Sequence, residues 1–86
     1  MATREEFEKA ANEVMALATR PSNEDLLQLY AFYKQATEGD TKGSRPGMFD
    51  LKARKKFDTW AEKKSMASEV AMAKYVELVK RLLNGT

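Results

Sequence analysis

The run LLQLYAFYKQAT, residues 26–37, holds two tyrosines and a lysine at spacings that could do chemistry together. A phenol can stack on a flat base and donate a hydrogen bond, and an ammonium can pair with a phosphate. The stretch has no breaker, so it is read as helix, at roughly 100° per residue. Leu29, Phe32 and Ala36 then share one face, while Leu26, Tyr30, Tyr33 and Thr37 share another, with Lys34 at its edge. One apolar stripe is enough to dock a helix on a core. The second face therefore predicts contact with another helix or with a ligand. Farther along, Lys56 falls beside Trp60 at the edge of an apolar face, with Lys55 turned to solvent and Arg54 on the opposite edge. Tyr75 lies within a later apolar stripe. Two readings fit these residues: tyrosines at a core edge with solvated hydroxyls, or a nucleotide site in which a ring stacks and ammonium groups hold phosphates.

The rest of the inventory narrows the chemistry. The chain has no histidine and no cysteine, so the commonest general acid–base residue and any thiolate are missing. No Ser-His pair, zinc-ligand spacing or Gly-rich phosphate loop occurs. Glu5, Glu6, Glu8 and Glu13 belong on a wet helix surface. Neither catalysis nor a metal or cofactor is expected. A net charge of +2 is weak for a nucleic-acid binder, although Lys52, Arg54, Lys55 and Lys56 make one local basic run. No apolar run approaches the roughly 20 residues of a membrane span, and MATREEFEKA lacks a signal peptide's apolar core. A cytoplasmic monomer without membrane insertion is expected. Eighty-six residues make one small domain, so a ligand site should be a groove and not an enclosed cavity.

The elements that must position these residues are four helices. Thr3 and Glu6 form a capping box that opens a first helix over about residues 4–18, with Phe7, Ala10, Ala11, Val14, Leu17 and Ala18 as its stripe. Ser22 caps a second helix, which ends near Glu38 at Gly39. A third begins after Asp50 and turns Ala53, Phe57, Trp60 and Ala61 inward. Ser65 and Ser68 are rival caps for a fourth, whose stripe is Met72, Tyr75, Val76, Val79, Leu82 and Leu83 and whose stop is Gly85. The segment GDTKGSRPGMFD, residues 39–50, exceeds the two to eight residues of an ordinary helical hairpin. Such a loop can run back along the bundle, so that the third helix points the same way as the second. Met48 and Phe49 are expected to anchor it against the bundle.

The order YAFYKQATEGD, RPGMFD, KARKKFDTW, AMAKYVELVKRL strongly resembles the acyl-CoA-binding protein family, whose pattern runs YxxYKQAT-x-GD, RPGM-x-D, K-W-x-x-W and AM-x-x-Y. FEKAANEV and TRPSNEDLLQLY extend the likeness over nearly the whole chain, residues 1–86, as a single acyl-CoA-binding domain. The resemblance implies an all-α, up-down-down-up four-helix bundle and a carrier and pool former for medium- to long-chain acyl-CoA esters. By the same resemblance Tyr33 matches the adenine-stacking position, and Tyr30 and Lys34 match positions that hold the ribose 3′-phosphate. Lys56 matches a lysine that reaches the CoA phosphates, Tyr75 a tyrosine beside the nucleotide, and Lys52 a position near the ligand. Val14, Leu26 and Leu27 are expected to line an apolar groove for the acyl chain.

Four positions depart from the family pattern. Met15 stands where many members have a lysine, and Phe57 replaces the first of two tryptophans. Ser65 replaces a glycine, and Ala67 replaces a Ser or Thr cap, which together suggest a different start to the fourth helix. Met15 is read either as a core filler or as an apolar cover for the ligand in place of one cationic contact. A helical protein–protein interaction module with no small ligand is the competing reading.

Overall fold

In the computed structural model, which describes residues 3–85, four helices form: α1 (Arg4–Val14), α2 (Asn23–Glu38), α3 (Leu51–Ala61) and α4 (Ser68–Leu83). Local chemistry sets most of their ends. The Glu6 N–H donates to Thr3 Oγ1 and the Thr3 N–H donates back to Glu6 Oε1, each at 3.1 Å, completing the capping box. Ser22 Oγ accepts from the Asp25 N–H at 3.1 Å, and Asp50 Oδ1 accepts from the Ala53 N–H at 3.3 Å. Gly39 stops α2 with φ at 81°, a conformation that favours glycine.

Two helix ends differ from the sequence expectation. α1 stops at Val14, four residues before Ala18, and the chain continues through i→i+3 bonds from Met15, Ala16 and Leu17. Leu17 is only half-buried and Ala18 is exposed, so little apolar burial would reward another helical turn. Arg20 precedes Pro21, which also disfavours helical backbone there. At the start of α4, neither Ser65 nor Ser68 is the cap. Ala67 occupies that position without a side-chain bond, while Ser68 Oγ donates to the Ala36 carbonyl at 2.6 Å. Ser65 takes a positive φ of 71°.

The core collects Phe7 and Ala10 of α1, Leu29 and Ala36 of α2, and Ala71, Met72, Tyr75, Val76, Leu78 and Val79 of α4. Ala71 and Leu78 join the expected α4 stripe, whereas Leu83 is exposed. Helix α4 packs on both α1 and α2, and α3 packs on the other side of α2. The result is the up-down-down-up four-helix bundle. Paired contacts show α2 and α3 to be parallel: Trp60 Nε1 donates to the Gly39 carbonyl at 2.7 Å, at the C-terminal ends of both helices. Near their N-termini, Leu26 and Leu27 share a groove with Lys52. Helix α4 runs the other way, starting beside Ala36 and ending where Arg81 meets Asp25.

The loop between α2 and α3 is not held by Met48 and Phe49. These are 65% and 95% exposed, contrary to the expectation. Polar contacts hold it instead. Arg45 makes a two-pronged bond to Asp58, at 2.9 and 2.7 Å, and Trp60 secures its first residue, Gly39. Asp40 Oδ1 accepts from Gln35 Nε2 at 2.9 Å and from the Ser65 N–H at 2.8 Å. Gln35 also donates to the Met66 carbonyl at 3.0 Å, so one buried amide ties the end of α2 to the α3–α4 turn.

A two-part groove beside helix α2

The second face of α2 opens onto two neighbouring grooves. The larger, about 530 Å³, is lined by Val14, Met15, Pro21, Leu26, Leu29, Tyr30, Tyr33, Lys34 and Tyr75. The smaller, about 280 Å³, lies between α2 and α3 and is lined by Arg20, Asn23, Leu26, Leu27, Tyr30, Lys52, Lys55 and Lys56. Leu26 and Tyr30 belong to both, so they form the ridge between the two parts. A third hollow, about 390 Å³, lies between α2 and α4 and is lined by Asp25, Gln28, Phe32, Lys74, Glu77, Leu78 and Arg81. Its acids and bases are balanced, and it shares none of the predicted residues.

Aromatic packing fixes the floor of the larger part. Tyr33 stacks on Phe7 with ring centres 5.4 Å apart and planes 28° apart, and Tyr75 meets Phe7 edge-on at 5.1 Å. Tyr33 and Tyr75 are 5.9 Å apart. Tyr75 is buried and Tyr33 is 42% exposed, so this aromatic cluster ends in a ring that solvent or a ligand can reach. Burial pushes the Tyr75 phenol above its ordinary pKa, with the neighbouring Tyr33 adding to the shift. It therefore stays protonated at neutral pH.

The cations are held less firmly. Lys34 Nζ pairs with Glu38 one turn on and lies 5.1 Å from the centre of the Trp60 ring. Its pKa is raised first by the Glu38 hydrogen bond. Lys56 Nζ lies 5.3 Å from the Tyr30 ring. The sequence expectation set Lys56 beside Trp60, but the structure gives that ring to Lys34 and turns Lys56 to Tyr30. Both are cation–π contacts; the Lys34 ammonium already has the Glu38 carboxylate as a partner, so an anion arriving there must displace or share it. Lys52 and Lys56 stand on the rim of the smaller part, and so does Lys55, which had been expected to face away.

All eight predicted residues thus line the grooves. Met15, Tyr33, Lys34 and Tyr75 border the larger part, Leu27, Lys52 and Lys56 the smaller, and Tyr30 both. Met15 is 80% exposed, which removes the core-filler reading. Arg20, Asn23 and Pro21 were not foreseen. They lie in the α1–α2 connection and at the first residue of α2, where no apolar periodicity marks a groove. The arrangement can take a flat ring against Tyr33, anionic groups near Lys34 and Lys56, and an apolar chain over Leu26 and Leu27. No group of three or more metal-ligating residues occurs among the described residues.

Fold and groove together define a class: a small all-α protein presenting an open, aromatic-floored and cation-rimmed trough. Residues 4–79 match the family described as Acyl CoA binding protein. The chain is 48% identical over 83 residues to the acyl-CoA-binding protein of Brassica napus, covering 96% of this chain and 90% of that protein. It is 49% identical over 77 residues to acyl-CoA-binding protein homolog 1 of Caenorhabditis elegans, covering 90% of each. Among solved structures, Oryza sativa acyl-CoA-binding protein 2 superposes with a TM-score of 0.91 at 46% identity, covering 95% of this chain and 89% of that one. The chain belongs to the acyl-CoA-binding protein family.

Proposed function

We propose that residues 1–86 form a single domain that binds medium- to long-chain acyl-CoA esters, acting as a monomeric cytoplasmic carrier and pool former and not as a catalyst. The observation that carries this reading is the ridge of Leu26 and Tyr30 joining an aromatic groove that bears Lys34 to a smaller one with a leucine floor and a cationic rim. Coenzyme A is a polyanion with an aromatic base, and its thioester carries an apolar tail. Tyr33 offers the exposed ring for adenine, Tyr30 and Lys34 meet the 3′-phosphate, and Lys56 reaches the diphosphate. Tyr75 backs the nucleotide as a neutral phenol. The tail crosses Leu26 and enters the smaller groove over Leu27, with the stems of Lys52 and Lys55 alongside. Each buried CH₂ contributes about 0.8 kcal/mol, so affinity should rise with acyl length until the groove is filled.

Isothermal titration of palmitoyl-CoA, free CoA and palmitate tests the assignment. Stoichiometric binding of the ester, much tighter than either half alone, is the expected result. Equal affinity for palmitate and its CoA ester would sink it, and failure to bind any of the three would return the chain to the class of interaction modules.

A further inference from the structure

Met48, Phe49 and Leu51 occupy three of four consecutive positions and are 65%, 95% and 70% exposed. Isolated exposed apolar residues are ordinary, but adjacent ones call for a cause. These contribute nothing to the loop's anchorage, which rests on Arg45, Gly39 and Asp40. The charge around them is lopsided. Residues 41–56 carry Lys42, Arg45, Lys52, Arg54, Lys55 and Lys56 against the single acid Asp50, whereas the whole chain has a net charge of only +2. Arg45 is matched by Asp58, and Asp50 accepts from the Ala53 N–H at the head of α3. Lys42, Lys52 and Lys55 are exposed. Arg45 and Lys42 lie toward the other end of α3, beside Asp58 and Gly39, so the cations adjoining the tip are the exposed Lys52, Lys55 and Lys56 of the first turns of α3.

We propose that the tip formed by residues 48–51 is a docking element for anionic bilayer surfaces. A protruding set of apolar side chains needs a partner that yields around it, and a lipid interface does so without a preformed pocket. Phe49, Met48 and Leu51 enter the headgroup–acyl boundary while the lysines behind them meet anionic headgroups. Lys52 and Lys55 also belong to the smaller groove, so docking sets that groove close to the lipid. Docking requires no bound ligand and stands apart from the acyl-CoA assignment.

The test is sedimentation of the ligand-free full chain with sucrose-loaded vesicles of phosphatidylcholine alone or mixed with phosphatidylserine. Binding should favour the anionic vesicles ~10-fold or more and weaken with added salt. Phe49→Ser should reduce the partition coefficient ~10-fold, equivalent to about 1.4 kcal/mol, and Leu51→Ser should act in the same direction. Phe49→Ser should leave the circular dichroism and the palmitoyl-CoA titration unchanged, separating loss of docking from loss of fold or groove. Absence of binding to anionic vesicles would overturn the proposal, as would equal binding by wild type and both variants. A concentration-dependent dimer that Phe49→Ser abolishes, without vesicle binding, would reassign the tip to self-association and equally overturn it.

Discussion

If Lys34 holds the 3′-phosphate as proposed, Glu38 competes with the ligand for it, and Glu38→Gln should tighten acyl-CoA binding. The competition follows from the geometry: the Lys34 ammonium is paired with the Glu38 carboxylate in the empty groove, with the two side chains 25% and 45% exposed. A 3′-phosphate that takes Lys34 must displace or share this partner. An exposed pair at i,i+4 contributes only ~0.3–0.5 kcal/mol, and lysine preceding glutamate is the weaker order. Removing the carboxylate also removes a like charge near the phosphate, adding at most a similar amount in high dielectric. The expected gain is therefore ~0.4–1 kcal/mol, about two- to fivefold in affinity. Against this, Lys34→Ala should cost ~1.5–3 kcal/mol, the range for a charged hydrogen bond. Tyr30→Phe should cost less, because it removes a neutral donor. The assay is calorimetric titration of wild type, both Lys34 and Glu38 single variants and the double variant, with palmitoyl-CoA and with its 3′-dephospho analogue. The gain from Glu38→Gln should fall by about half or more in the Lys34→Ala background, where only the like-charge part remains, and shrink for the dephospho ester. Trp60 gives an independent readout, since Lys34 lies against its ring and should move when phosphate binds. The reasoning fails if Glu38→Gln leaves affinity unchanged, or improves it equally with and without Lys34.

Four further outcomes are expected. Ala67→Ser should raise stability by ~0.5–2 kcal/mol in urea denaturation, because Ala67 already has extended cap backbone (φ −64°, ψ 145°) but no oxygen to accept an α4 N–H. Ser65→Gly should add ~0.5–1 kcal/mol by relieving its positive φ while keeping the N–H bond to Asp40. The Gln35 hydrogen bond, with help from the Ser65 N–H, holds the Asp40 carboxyl below the usual range. A depressed carboxylate stabilises the fold above its unfolded value near about pH 4 and loses that contribution as pH falls through the folded value. Asp40→Asn should therefore be less stable than wild type at neutral pH, by a margin that closes in acid; a margin constant with pH would contradict this. Met15→Lys, at an exposed rim position, should tighten palmitoyl-CoA binding by ~0.3–1 kcal/mol in low salt, and the gain should fade as ionic strength rises.

Several features followed from the chain alone because short-range chemistry decides them. Thr3 with Glu6, Ser22 with Asp25, and Gly39 each act within one helical turn, so their roles were legible from adjacent residues. The long loop likewise allowed a parallel α2 and α3, since a short connection could not span the length of the bundle. The second face of α2 marked Tyr30, Tyr33 and Lys34 through its periodicity alone, although the family resemblance supplied their individual roles. Tertiary packing decided the rest. Periodicity says that a face will be covered but not by what, and it could not assign Lys34 to Trp60 and Lys56 to Tyr30. Nor could it show that Gln35 and Asp40, within the same motif as the tyrosines, brace the α3–α4 turn across 31 and 25 residues. Met48 and Phe49 resembled anchors because apolar residues generally gain by burial, yet polar contacts hold their loop and leave them in solvent. Burial depends on the surface that another element presents, and that surface exists only once the helices have packed.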